Sequence, residues 1–380
     1  MAIRGVYTED EKKMLENFAK TADEMSGWAK SLRRRIATEE SIVSFANAVD
    51  CWNPVWRDQD YAISTRWGGI IAPPMYQDAI TQVTWMPDIP PSMGYLDHWW
   101  LGEDWEFFKP VRVNDTFKVW RQPPQLGDLT SPDKEDLRRF KFVSHDVGHI
   151  NQKDELVSTF KAYLELIFLP EPPKAKEVKP RPDYAYTKEE LDYIERTFQE
   201  QEIRGAKIRY WESVSIGDEA RPVVMGPTTL FDHVVLISGR QEFILVPMIE
   251  MRRRGEVLQA DPDTGVTHIM GWHLNDHMAH VGGEPHALHM GSLARQVMVR
   301  LVTNWMGDDG FLRKFNWRHM TRTAIGDTLI GKGKVVNKRV ENGEYLVDLA
   351  VWLENLRGNV TEAAMATVSL FSKESPPYSW

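Results

Sequence analysis

Six of the chain's 11 histidines fall between residues 268 and 289, as His268, His273, His277, His280, His286 and His289. Imidazole takes and returns protons near neutral pH, and in its neutral form it also binds zinc or nickel. His273, His277 and His280 would share one face if the stretch were helical. The spacing does not match H-E-x-x-H, so proton transfer is the stronger expectation and no metal is expected. A second set lies earlier, where Asp50, Asn53, Asp58 and Asp60 surround Pro54 and Trp56. An Asp ahead of a turn either caps backbone amides or serves as a base, and an Asn there fixes a loop through its own backbone. Neither G-x-G-x-x-G after a strand nor G-x-x-x-x-G-K-S/T occurs, and no nucleotide cofactor is expected.

These residues need a frame. The 380 residues suit two domains, and 42% hydrophobic with 27% charged residues is a globular composition. A net charge of −9 argues against nucleic acid as a partner. The short runs Arg33–Arg35 and Arg252–Arg254 read as solvated surface, with phosphate contact as the alternative. The single cysteine, Cys51, excludes an internal disulfide and fits a reducing cytoplasm. No signal-like apolar core opens the sequence, and no apolar run is long enough to span a membrane.

Residues 170–186 carry Pro170, Pro172, Pro173, Pro180 and Pro182 among charges, which predicts an extended linker between domains 1–169 and 187–380. Thr187 with Glu190 is a capping-box start to a helix. The two sides repeat one order. Asp60-Tyr61-Ala62, a helix near Met75–Trp85, Asn114-Asp115-Thr116 and Asn151-Gln152 are followed on the other side by Asp276-His277-Met278-Ala279, a helix near Gly291–Met306, Gly326-Asp327-Thr328 and Asn355. The offsets are close, 216 (276 − 60), 212 (327 − 115) and 204 (355 − 151), as a duplicated domain requires. Leu293, Val297, Leu301 and Trp305 make an i, i+4 stripe that Gly307 stops. Asn342-Gly343 between two alternating stretches reads as a hairpin. Each half is therefore expected to wrap one long helix in an antiparallel sheet, an α+β double hot-dog whose sheets join. Residues 243–266 have no counterpart in the first half and read as a lid, a specificity element or surface decoration.

The stretch Asn53-Pro54-Val55-Trp56-Arg57-Asp58, then Ala62 and Gly68-Gly69, resembles the loop-to-helix junction of MaoC-like (R)-specific enoyl-CoA hydratases, G-D-x-N-P-I-H-x-D followed by Ala and Gly. It is most similar to double hot-dog members with N-P-x-W in the first domain. Further likenesses are Arg209-Tyr210-Trp211-Glu212 with Gly217-Asp218, Gly226-Pro227, and Thr303 through Gly310. The resemblance covers most of residues 30–375. It implies thioester substrates, usually on coenzyme A, and water added or removed at the 2,3 double bond.

It also implies roles. Trp56 stands where the first domain's catalytic His would be, and the Asp position falls on Cys51 beside Asp50. Registered through Ala279 and Gly283, His273 takes the catalytic His position of the second domain and His268 the paired Asp position. Asn275, beside Asp276, takes that of the later Asp. Gly291 becomes the amide that polarises the thioester carbonyl, with Asn53, Trp56 and Asn275 as candidate substrate contacts. Asp50, Asp263 and Asp276 remain as unranked carboxylates. The expected function is a lyase acting on an acyl-CoA without cofactor, as a homodimer. The alternatives are a thioesterase and a non-catalytic acyl-binding subunit.

Overall fold

The computed structural model describes residues 7–24, 26–29, 32, 34–50, 52–81, 95–131, 138–143, 146–169, 183–240, 263–265, 271–281 and 284–374. Most of the expected linker and insertion, with Cys51, His268 and Gly283, lies outside them.

One helix dominates. Here termed α8, it spans Gly291–Met306 after the equally long α1 (Glu9–Glu24) and the shorter α2 (Glu39–Val49), α3 (Gln59–Ser64), α4 (Gln77–Ile80), α5 (Lys188–Glu200), α6 (Leu230–Gly239) and α7 (Asp276–Val281). From Ser292 to Met306 every residue of α8 except Arg300 is buried. A helix buried all round must be wrapped, and β8–β12 provide the wrapping. Gly307, at φ 73°, ends it where the stripe predicts. Thr187 and Glu190 form the capping box that starts α5.

Among the described residues, twelve strands form a single sheet. The first half supplies β1 (Gly27–Trp28), β2 (Tyr95–Phe107), β3 (Lys118–Arg121), β4 (Gln125–Asp128), β5 (Arg138–Val143), β6 (Val147–Ile150) and β7 (Leu156–Leu169). The second supplies β8 (Glu219–Met225), β9 (Phe311–His319), β10 (Leu329–Glu341), β11 (Glu344–Asn355) and β12 (Val360–Leu370). The order is β1-β3-β6-β7-β2-β9-β12-β11-β10-β8, with β5 also on β7 and β4 on β5. The halves join at β2 and β9, from Gly102 opposite Arg318 to Glu106 opposite Lys314, so neither central edge is left unpaired. At this seam a Cβ on Gly102 would lie 2.1 Å from the Trp317 carbonyl oxygen, which reserves the position for glycine. Asn342 and Gly343, both at positive φ, make the hairpin between β10 and β11. The α+β double hot-dog arrangement is present.

The repeat reaches individual bonds. Asn151 Oδ1 accepts from the amides of Lys153 and Glu155, and Asn355 Oδ1 accepts from those of Arg357 and Asn359. The bridge of Ile71 with Arg112 has its counterpart in Leu288 with Ala324. Phe107 faces Ser158 across β2 and β7, as His319 faces Glu362 across β9 and β12.

One expectation fails in the described residues. Where the first half was expected to carry a helix near Met75–Trp85, only α4 is helical, and residues 82–94 lie outside the description. Met75, at φ 71°, takes a left-handed backbone that a helix does not admit, and Thr81 is already extended after Ile80. α4 instead presents Asp78 to Arg295 of α8, which also donates to Glu103 Oε2 at 2.5 Å. A guanidinium fully enclosed in the core thus finds its counter-charges on the other half.

Candidate active site

The site is built around the first residue of α8. The early amides of a helix lack intrahelical acceptors and sit at the positive end of its dipole. Met290, the N-cap residue, gives no side-chain cap, and its own amide donates to His233 Nε2 at 3.2 Å. Gly291 follows, with its amide unengaged among the described residues. A Cβ here would lie 3.3 Å from the Trp317 ring and 3.7 Å from Trp100, so the side chain is missing where two indoles crowd the backbone.

His273 closes a 3-10 turn, Gly271–His273, that is stitched to the segment ahead of α8 by the Leu288 amide on the Trp272 carbonyl at 2.8 Å. Its Nδ1 lies 2.8 Å from the Leu288 carbonyl oxygen, so Nδ1 carries the proton and Nε2 presents a lone pair. Burial lowers its pKa, keeping it a neutral base at pH 7. Two further imidazoles surround it. His233 on α6 lies 6.2 Å from His273 and 5.2 Å from His289, ring to ring. Burial takes His233 down to about 4 and His289 well below its ordinary value. Among the described residues neither nitrogen of His289 meets a hydrogen-bond partner in good geometry. Among the described residues no His, Cys, Asp or Glu cluster has metal-holding geometry.

Asn275 and Asp276 serve the scaffold. Asn275 Oδ1 accepts from the Met278 amide at 2.9 Å and caps α7. Asp276 Oδ1 accepts from the Ala287 amide at 2.7 Å, and Oδ2 lies 3.3 Å from His286 Nδ1. Asp276 therefore ties the His273 turn to the approach of α8 but does not touch His273. Asp263 lies 3.6 Å from His277 Nε2 at the surface.

The first-half residues go elsewhere. Asp50 is buried against the far end of α8, with Oδ2 accepting from Thr303 Oγ1 at 3.3 Å and from Trp56 Nε1 at 3.4 Å. Thr303 is twelve residues past Gly291, about 18 Å along the helix, so Asp50 and His273 cannot form one dyad. Burial raises the Asp50 pKa, with Arg300 opposing. Asn53 caps the 3-10 turn Pro54–Trp56 through the Val55 amide at 3.1 Å, and Trp56 lies in the core with Val55, Trp67 and Ile71. Tyr61 and Trp67 bond Asp308 just past the end of α8, at 2.5 and 2.7 Å. The whole loop thus buttresses the helix at the end opposite Gly291.

Superposing the halves by their elements explains this split. The 3-10 turns end at Trp56 and His273, 217 apart (273 − 56), and α3 and α7 start with the same offset (276 − 59). The same offset places Pro74 on Gly291 (291 − 74). Proline has no amide hydrogen, so the first half has lost both the imidazole and the donor.

A pair absent from the sequence reading adjoins Trp317, whose ring meets Gly291. His319 Nδ1 lies 2.5 Å from Glu362 Oε1, and Trp317 Nε1 donates to Glu362 Oε2 at 2.7 Å. Glu362 is fully enclosed, and its charge raises the His319 pKa against the effect of burial. The signal in the sequence was a His and a Glu in line with the buried Phe315 and Trp317 of β9 and Ala364 and Ala366 of β12.

Residues 24–160 match the family described as the FAS1-like dehydratase domain region. No protein of curated function matches in sequence. Among solved structures, a MaoC-like dehydratase is 13% identical, with a TM-score of 0.62 over 92% of this chain and 100% of its own. A protein described as a MaoC domain dehydratase from Chloroflexus aurantiacus is 13% identical, with a TM-score of 0.53 over 92% and 95%. A conserved hypothetical protein from Mycobacterium tuberculosis, described as a double hot-dog fold, is 11% identical with a TM-score of 0.48 over 92% and 97%.

Proposed function

We propose, for a chain whose first half matches a dehydratase-domain family and whose fold is shared with MaoC-like dehydratases, that the second half carries a hydro-lyase site. Its substrate is an enoyl thioester of coenzyme A, hydrated to the 3-hydroxyacyl thioester, or the reverse. The observation that carries this reading is the unengaged Gly291 amide at the start of a buried helix, with His273 held beside it by Leu288 and His233.

The chemistry follows from these groups. As the water oxygen bonds C3, electron density moves to the thioester oxygen, where a helix-terminal amide stabilises it. His273 Nε2 takes the proton that water gives up and returns it to C2. The position of the family's paired Asp is taken by His268, which supplies no carboxylate and lies outside the described residues. Asp50 and Asp276, each engaged with its own partners, act in this reading as supports. Asn53 and Trp56 hold the helix from its other end, and Asn275 shapes the His273 turn. The reading also takes the chain as a homodimer in the cytoplasm, and a sedimentation mass of one chain contradicts the first of these.

A panel of enoyl-CoAs tests it. Hydration removes the conjugated-thioester absorbance without releasing thiol. Thiol release instead identifies a thioesterase, and neither change identifies an acyl-binding subunit.

A further inference from the structure

We propose that His319, paired with Glu362, is a second catalytic group of this site, its imidazolium bonding the thioester oxygen alongside the Gly291 amide. The inference rests on the hydro-lyase reading above.

Position comes first. β9 leaves the Gly307–Gly310 turn and runs back along α8, because the Trp317 ring meets Gly291. His319 is two residues further on, about 7 Å at strand rise, and so reaches past the first residue of the helix. Its ring lies 6.3 Å from that of Trp317. The hydro-lyase reading places the polarised carbonyl at this same end of α8. His319 Nδ1 lies within ion-pair distance of Glu362 Oε1, 2.5 Å, without the alignment of a hydrogen bond. His289, enclosed in the core, is close enough to feel the His319 charge. The groups facing His319 are therefore Glu362 from β12 and His289 from the approach to α8.

The internal repeat then separates chemistry from packing. His319 corresponds to Phe107 (319 − 107 = 212) and Glu362 to Ser158 (362 − 158 = 204), the same offsets that relate Asp115 to Asp327 and Asn151 to Asn355. Phe107 and Ser158 face each other in the same register as His319 and Glu362. The strand pair thus packs well with an aromatic and a small polar residue. A buried ion pair adds little stability over such a replacement. The half with Trp56 and Pro74 carries Phe107 and Ser158, and the half with His273 and Gly291 carries His319 and Glu362. All four positions differ together.

In the hydration direction the water oxygen forms its bond to C3 and the C2–C3 π pair shifts toward C1. The carbonyl π pair moves onto oxygen, held by the Gly291 N–H and His319. The water proton passes to His273 and then to C2 as the enolate collapses. His319 keeps its proton throughout.

The test uses the full chain and an enoyl-CoA that the wild type converts. His319→Phe with Glu362→Ser installs the pair already present in the first half and should lower kcat about 10²–10³-fold with KM little changed. Glu362→Gln keeps an acceptor for Trp317 and removes the charge, so the alkaline limb of kcat, where His319 loses its proton, should move to lower pH. A purely structural pair leaves that limb in place. The inference is overturned by a folded double variant with kcat within about threefold of wild type, or by an unmoved alkaline limb in Glu362→Gln. Should the double variant not fold, Glu362→Gln alone decides. A wild type that hydrates no enoyl-CoA overturns the hydro-lyase reading itself and the inference with it.

Discussion

The two halves share strand register, asparagine-capped turns and a 3-10 turn leading into a six-residue helix, yet they meet α8 at opposite ends. In the second half the turn ends in His273 beside the first amide of the helix. In the first, its counterpart ends in Trp56, and the loop packs against Thr303 and Asp308 where the helix stops. One frame therefore serves two uses. One half carries His273 and Gly291 at the matched positions; the other carries Trp56 and Pro74, and there the turn is core packing.

The largest expected effect lies at His273. His273→Ala should lower kcat about 10²–10⁴-fold, the usual worth of a positioned acid–base group, with melting and acyl-CoA binding little changed. Near-normal turnover would place the base elsewhere. Gly291→Pro makes the second half resemble the first. Proline is tolerated in the first helical turn but removes the N–H, and kcat should fall about 10²–10³-fold. Gly291→Ala, which keeps the amide and crowds Trp317 at 3.3 Å, should lose much less turnover than the proline variant. Equal losses from the two would show that crowding, not the amide, matters.

Acid stability probes a buried histidine from each half. His149, in the first half, bonds Ser158 and Thr81 and is lowered to about 4 by burial, as is His233 in the second. The unfolded chain binds protons at these positions from pH 6.5 downward while the folded chain resists until about 4. Their contribution is therefore present above 6.5 and lost as pH falls toward 4, each on the order of 3 kcal/mol. Urea unfolding of His149→Gln across that window should show a shallower decline than wild type, and an unchanged slope contradicts the assignment. The smallest effects belong to the first-half loop. Asp50→Asn and Trp56→Phe should leave kcat within about twofold and change only the melting temperature. A large loss of turnover from either would return chemistry to the first half.

Local signals were read well in the sequence. The Leu293–Trp305 stripe, the Asn342-Gly343 hairpin and the Thr187–Glu190 capping box each depend on residues a few positions apart, and all are present. The matched order of the two halves carried the fold. What the sequence hid was set by distant partners. Arg295 inside the core helix makes sense only with Asp78 and Glu103. Asp50 looked available for catalysis until its neighbours proved to be Thr303 and Arg300. His319 and Glu362 are 43 residues apart (362 − 319) and meet only through strand pairing. The expected first-half helix was drawn from Met75, whose left-handed backbone, at φ 71°, nothing in the local sequence announces.

The central claim is that the thioester carbonyl is received at the amino end of α8. It can be watched without turnover by following backbone amides in protein labelled with ¹⁵N-glycine, titrated with a saturated acyl-CoA. The Gly291 peak, assigned by its loss in Gly291→Ala, should move downfield as its N–H gains an acceptor, while Gly68 and Gly69 of the first-half loop stay put. An unmoved Gly291 peak together with shifts at Gly68 and Gly69 would contradict the account.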